Sequence, residues 1–293
     1  MKSCFKIIIF LFLVPFIQEV AAQTDIYQKE IATWHKQRIE ELKAPNGWLN
    51  LAGLFWLKPG KNSFGSATTN DIVFKHPDMP ALAGYFELAD GKVTWQTAAG
   101  VVVLQKDSAI TKALIYQQGN FRPPLLALKN FRWSIIQRDD KIGIRFRDLK
   151  SPALEKFKGI DRYPVDSNWR IPAYLEAPTN SIVAITNVLG QISNQPTPGK
   201  LVFTIGKTVY KLDALEESPG ELFIIFGDAT SGKETYPAGR FVYVKKPAPG
   251  EATFIDFNKA YNPPCAFSDF ATCPLPPKQN VLPVAIVAGE KNY

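Results

Sequence analysis

From Trp48 onward the chain is written in short apolar runs cut by turn signals, and this pattern most limits what it can fold into. Trp48 to Leu57 ends at Pro59-Gly60; Ile72 to Phe74, Tyr85 to Leu88 and Val93 to Trp95 follow, with Asp90-Gly91 before the last, and Gly100 precedes Val101 to Leu104. Runs of this length between glycine, proline and aspartate are too short for helices and read as strands joined by turns. Phe131 to Gln137 and Ile142 to Phe146 flank the polar turn Arg138 to Lys141, as in a hairpin. Residues 47–156 are therefore expected to form a sandwich of antiparallel strands. Residues 157–180, with Gly159, Pro164, Pro172 and Pro178, read as a linker. Over 181–293 strands are expected at Ile182 to Val188, Lys200 to Ile205, Thr208 to Leu212, Glu221 to Phe226, Arg240 to Val244, Thr253 to Asp256 and Val281 to Ala288, with a single helical turn at Asp213 to Glu217. The fold class is mainly β, the last region being an all-β sandwich or a partly closed barrel.

Ahead of the strands, Ile31, Trp34, His35, Ile39 and Leu42 recur at helical spacing, Asp25 with Gln28 supplies a start, and Ala44-Pro45-Asn46-Gly47 a stop, so residues 23–46 are expected to hold a helix. Residues 1–22 read as a secretory signal: Lys2 and Lys6 precede an apolar stretch from Ile7 to Ile17, and Val20-Ala21-Ala22 offers the cleavage pattern. The apolar stretch falls short of the roughly 20 residues a spanning helix needs, so the mature chain is expected to be exported, periplasmic or extracellular, with no transmembrane segment. Removing Cys4 leaves Cys265 and Cys273, which in an oxidising compartment are expected to pair, free thiols being the alternative. The formal charge of +7 is spread along the chain, and no nucleic-acid motif accompanies it. A basic surface of this kind suits anionic envelope polymers better than DNA or RNA.

Long motifs carry a family resemblance. Asp228-Ala229-Thr230-Ser231-Gly232, Glu234-Thr235-Tyr236, Gly239-Arg240-Phe241, Asp256-Phe257-Asn258, Ala260 to Phe267, Cys273 to Pro277 and Ala288-Gly289-Glu290, with Gly47 to Leu57 upstream, resemble the DUF1684 family of bacterial proteins over almost the whole mature chain. That resemblance implies no activity, the family being one of unassigned function. Gly60 to Gly65, Ser66 and Asn70-Asp71-Ile72 resemble a forkhead-associated (FHA) sandwich, a fold that reads phosphothreonine through an arginine and a serine-histidine motif. Ser66 stands where that arginine belongs and no serine-histidine follows, so the resemblance implies the fold without phosphopeptide binding.

The chemistry available is narrow. His35 and His76 are the only histidines and neither accompanies a nucleophile elbow, so a Ser-His-Asp arrangement lacks support. Two histidines with paired cysteines make a poor zinc set, and no glycine-rich phosphate cradle precedes a helix, so no metal and no cofactor is expected. Carboxylates remain for acid–base work: Asp228, Glu234, Asp256 and Glu290 fall at expected strand ends and turns, and a pair about 5–10 Å apart could hydrolyse a glycosidic bond. Asp228 could instead bond the backbone of the Thr230-Ser231-Gly232 turn. The sharper group is Tyr236, Arg240, Asp256, Asn258, Tyr261 and Asn262, which offers a planar guanidinium and oriented polar groups to a small polar or anionic ligand. The same residues could form a buried brace, Arg240 on Asp256 and Asn258 on the Pro263-Pro264 loop. Trp48, Phe55 and Trp56 could be a sugar platform or, on the commoner pattern, core. The leading reading is an exported binding protein for a small molecule or envelope component; the alternatives are a carboxylate-dependent hydrolase of an envelope polymer and an envelope protein-interaction module.

Overall fold

The computed structural model describes residues 13–138 and 140–293, with side chains from Asp25 onward. The signal reading of residues 1–22, its cleavage point and Cys4 lie outside the described side chains. α1 (Leu13–Lys43) runs through Asp25, which therefore sits inside the helix instead of capping it. The helix stops where the sequence breaks, and Gly47 N donates to Ala44 O at 2.6 Å. Tyr27, Ile31 and Leu42 are buried while Trp34, His35, Arg38 and Ile39 are half-buried, which is the stripe of a one-sided helix. No described helix is long and apolar enough to cross a membrane.

The chain divides into two compact units. The first comprises Leu42–Phe157 with Phe267–Ala271. Its strands are β1 (Leu51–Trp56), β2 (Gly60–Gly65), β3 (Ile72–Val73), β4 (Gly84–Ala89), β5 (Lys92–Thr97), β6 (Val103–Gln105), β7 (Ser108–Ile110), β8 (Lys112–Gln117), β9 (Leu126–Leu128), β10 (Phe131–Arg138) and β11 (Lys141–Asp148). They form a sheet in the order β1-β11-β10-β9-β6-β7 and another in the order β3-β2-β4-β5-β8. Alternation along β10 and β11 turns Phe131, Trp133, Ile144 and Phe146 inward, where Phe64, Phe86 and Trp95 meet them from the other sheet. Trp133 lies 5.3 Å from Trp95 and 6.0 Å from Phe64 between ring centroids, so the two sheets close on one aromatic core. Phe55 packs against it, whereas Trp56 does not. The forkhead-like residues serve their own loop: Ser66 Oγ donates to Met79 O at 2.9 Å and Asn70 Nδ2 to Ala81 O at 2.7 Å. α2 (Pro152–Lys156) ends the unit's main stretch, with Ser151 Oγ accepting from Ala153 N at its start.

The second unit comprises α1 up to Glu41, Lys158–Ala266 and Thr272–Tyr293. Its strands are β12 (Arg170–Glu176), β13 (Ile182–Thr186), β14 (Ile192–Pro196), β15 (Gly199–Ile205), β16 (Thr208–Ser218), β17 (Glu221–Phe226), β18 (Arg240–Lys245) and β19 (Ala252–Asp256). Six of them run in the order β18-β17-β16-β15-β12-β19, and β13 with β14 makes a separate hairpin. The end strands approach each other: Thr253 Oγ1 donates to Lys245 O at 2.8 Å and Tyr261 pairs with Phe241, so the sheet is nearly closed into a barrel. Leu201, Phe203, Leu212, Ile224, Phe226, Val242, Ile255 and Phe257 fill it.

Three expectations need correction here. β12, inside the stretch read as linker, is bonded on both edges, to β15 and β19; its one proline, Pro172, lies ahead of Ala173, where the β15 ladder begins. Asp213 to Glu217 belong to β16 and form no helical turn. Residues 281–288 are not a strand: the one ladder contact in that stretch is Gly227 with Val281, because the segment's carbonyls go elsewhere. Cys265 and Cys273 form a disulfide with their Cα atoms 6.1 Å apart.

Candidate functional site: a buried polar core in the second unit

Arg240 opens β18 with its side chain pointing into the unit, and it is fully buried. Its Nη2 donates to Asp228 Oδ2 and to Ile286 O, both at 2.9 Å, and its Nη1 donates to Ala288 O and to Glu290 O, the latter at 3.2 Å. One guanidinium thus takes every second carbonyl of an extended segment, as a neighbouring strand would. Gly289 makes the geometry possible: it adopts φ +78°, and a Cβ there would lie 2.5 Å from Ala260 O.

Asp228 answers Arg240 and also shapes its own loop. Its Oδ1 accepts from Thr230 N at 2.8 Å, Thr230 Oγ1 at 2.6 Å and Ile286 N at 3.2 Å. The carboxylate therefore bonds the turn as the sequence suggested and pairs the arginine as well. Burial lowers the pKa of Arg240, and the Asp228 carboxylate opposes that shift.

A second closed ring lies beside the first. Arg38 of α1 donates from Nη2 to Asn262 O at 2.9 Å, Asn262 N donates to Glu290 Oε2 at 2.7 Å, and Glu290 Oε1 lies 3.4 Å from Arg38 Nε. Asn262 Nδ2 completes it on Lys291 O at 2.7 Å. The Arg38 guanidinium stands 4.7 Å above the Tyr261 ring, which is also flanked by Trp34, Phe241 and Tyr243. Burial raises the Glu290 pKa, with Arg38 the strongest opposing influence. Burial likewise raises the Tyr261 pKa, so its hydroxyl stays protonated.

Asp256 and Asn258 stand apart from Arg240. Asp256 Oδ1 accepts from Tyr27 Oη at 2.8 Å and from Asn258 N at 3.1 Å, while Asn258 donates from Nδ2 to Tyr27 Oη at 2.9 Å and Asp166 O at 2.8 Å and accepts from Asp166 N at 3.0 Å. Burial, reinforced by the bond to Asp256, raises the Tyr27 pKa. The expected pairing of Arg240 with Asp256 is thus replaced by Arg240 with Asp228, and Asn258 holds residue 166 and α1 instead of the Pro263-Pro264 loop. Tyr236 lies half-buried in the loop before β18 and its carbonyl accepts from Gly239 N. Glu234 is exposed, 4.0 Å from Lys291 Nζ. Sequence reasoning missed Tyr27, Arg38 and Asp166; the signal was present for the first two, which sit four and seven residues from Ile31 on the helix's buried stripe.

Two arginines and two carboxylates balance in this core, and both carboxylates and Arg240 are sealed from solvent. A ligand anion would meet no uncompensated charge there. An open cleft of about 400 Å³ lies elsewhere in the unit, lined by His35 and Ile39 of α1, Lys158 to Asp161, Asn292 and Tyr293. His35 is half-buried there, its pKa lowered by burial and then by Arg162 and Arg38, while the Ile160 backbone alone favours its charged form.

A sandwich followed by a nearly closed barrel, with inward-built charge pairs, defines a β-rich protein. Residues 155–291 match the family model described as a protein of unknown function, DUF1684. The motifs around Asp228, Arg240, Asp256 and Glu290 fall within that match; Gly47 to Leu57 lies ahead of it, so the resemblance is narrower than the almost whole mature chain the motifs suggested. The solution NMR structure of an uncharacterized protein from Haloarcula marismortui is similar at 27% identity and a TM-score of 0.40, over 47% of this chain and 78% of that one. No curated protein matches the chain.

Proposed function

We propose that the chain is an exported binding protein that takes a small polar ligand in its second unit, at the His35 cleft. The observation behind this reading is the contrast in access: Arg240 is fully buried and charge-balanced, while the cleft is open and combines a largely neutral imidazole with the Lys158 ammonium. The Ile160 backbone engages the imidazole while Nδ1 is left without a hydrogen-bond partner, and a lysine beside it suits a hydroxylated or carboxylated small molecule. Export is supported by the signal-like residues 1–22 and by the Cys265–Cys273 bond, which belongs with oxidising compartments. Hydrolysis by carboxylates has less behind it, since Asp228 and Glu290 are committed to arginines away from solvent.

The test is a thermal-shift panel of monosaccharides, amino sugars and small carboxylates on the mature chain, repeated on His35→Ala and Lys158→Ala. A compound that raises Tm in the parent and in neither variant supports the cleft. A panel without a hit, or a hit retained by both variants, counts against it.

A further inference from the structure

The outer face of the β10–β11 hairpin, in the first unit, presents a different chemistry. The register sets Arg132 opposite Arg147, Ser134 opposite Arg145, Ile136 opposite Gly143 and Arg138 opposite Lys141. These positions alternate with the core residues Phe131, Trp133, Ile144 and Phe146, so they share the opposite face. β1 adds Leu54 beside Arg145 and Trp56 beside Gly143. Gly143 is what lets that indole lie across the strand: a Cβ there would be 2.7 Å from Trp56 Cε3. The Arg145 guanidinium also lies over the Trp48 ring, 5.3 Å from its centroid.

Three arginines of this face, Arg132, Arg145 and Arg147, have no counter-charge among the described residues. Arg132 reaches the carbonyls of Lys129 and Phe131, both at 2.7 Å, and Arg147 that of Asn46 at 3.1 Å. Nε of Arg145 and of Arg147 is buried with no hydrogen-bond partner. Burial, then Arg138 and Arg147, pulls the Arg145 pKa down to about 10, and it remains a cation at neutral pH. Like charges directly across a strand pair are unfavourable, and half-buried guanidiniums without anions more so. Such an arrangement is relieved by an anion supplied from outside.

We propose that this face binds an acidic polysaccharide, its carboxylate or sulfate groups on Arg132, Arg145 and Arg147 and its sugar rings against Trp56 and Trp48. Planar guanidiniums match carboxylate and sulfate oxygens two at a time. A flat indole offers an apolar surface to the C–H face of a pyranose. Spacing supports a polymer over a single small ion: residues two apart on β11 place Arg145 and Arg147 about 7 Å apart, so successive acidic groups meet successive arginines. Single-stranded nucleic acid would use the same two elements, phosphates on arginine and bases on tryptophan. The disulfide favours the glycan, because oxidising compartments are where acidic polysaccharides are encountered. This site is independent of the His35 cleft.

The experiment is calorimetric titration of the full mature chain with polygalacturonate and with heparin, and with poly(dT) as the rival. Binding of an acidic glycan that weakens with salt is expected, falling by about tenfold or more in Arg145→Gln and Arg147→Gln, since a charge-assisted hydrogen bond is worth that factor, weakened in Trp56→Ala, which loses the stacking surface, and unchanged in His35→Ala. Where an arginine variant fails to fold, Lys141→Glu at the exposed rim supplies the charge test and should weaken binding alike. Failure of both glycans to bind, binding indifferent to these substitutions, or capture of poly(dT) alone overturns the proposal.

Discussion

Replacing Arg240 with alanine would leave Asp228 buried without its partner and three carbonyls of the 286–290 segment without donors. Breaking a buried pair from one side costs about 3–5 kcal/mol, so Arg240→Ala should lower the urea midpoint steeply or leave no cooperative transition. A variant of native stability would mean that the pair is not sealed as described. Glu290 makes the matching pH prediction. Its pKa is raised in the folded state, so the folded chain binds the proton more tightly than the unfolded one, and this contribution to stability is present below the ordinary carboxylate range and lost as pH rises through the raised value. Stability should therefore fall with rising pH across that window, and Glu290→Gln, whose amide oxygen can still accept from Asn262 N, should flatten the slope in parallel denaturation series. A slope identical in both proteins would rule out Glu290 as its source. At this scale the sequence was a fair guide to membership and a poor one to partnership. Arg240, Asn262 and Glu290 stood out by residue type, but Asp228 outcompeted Asp256 for the arginine because only Asp228 lies in the loop facing the first residue of β18.

Among the elements, the 281–290 segment is the instructive misreading. Leu282, Ile286 and Ala288 alternate and are buried in the barrel core, as a strand's inward face would be, yet no ladder forms because Arg240 takes the carbonyls of Ile286, Ala288 and Glu290 in place of a partner strand. Alternation reports which side faces the core; it does not report who supplies the hydrogen bonds. Gly289→Ala should be costly out of proportion to its size: a left-handed alanine costs roughly 1–2 kcal/mol before the clash with Ala260 O is counted. Chemical denaturation compares it with Gly250→Ala, where φ is also positive but the added Cβ meets nothing within 4 Å. Equal losses in the two would show that backbone strain alone is being measured. The Cys265–Cys273 bond should contribute about 2–3 kcal/mol, read as the fall in Tm on Cys265→Ser with Cys273→Ser. Thiol titration of the denatured, unreduced chain from residue 23 onward should find neither cysteine free. β12 was hidden by the opposite error: its proline punctuates the sequence but stands just ahead of the residues that pair with β15.

Over the whole molecule, the mainly β class could be read from turn spacing, whereas the way one unit draws on distant parts of the chain could not. α1 supplies Tyr27 to Asp256 and Arg38 to Asn262 across 229 and 224 positions, and nothing local in the sequence encodes contacts of that range. A fragment spanning residues 158–293 should accordingly fold weakly or not at all, with Asp256 and Glu290 deprived of their α1 donors; adding a synthetic 23–43 helix in trans should restore a sharper melting transition. A fragment as stable as the parent would make α1 an ornament. The same long reach sets a timetable for synthesis. α1 emerges from the ribosome well before the strands that bury it, and the whole sandwich must follow before residues 256–290 appear. Closing so distant a contact is slow, and through that interval the Tyr27, Ile31 and Arg38 face stands open, an amphipathic helix waiting with its apolar side uncovered. A cell making this chain would thus meet its greatest risk of aggregation midway through production, and a holding chaperone for α1 should raise yield more than any aid given after the chain is complete.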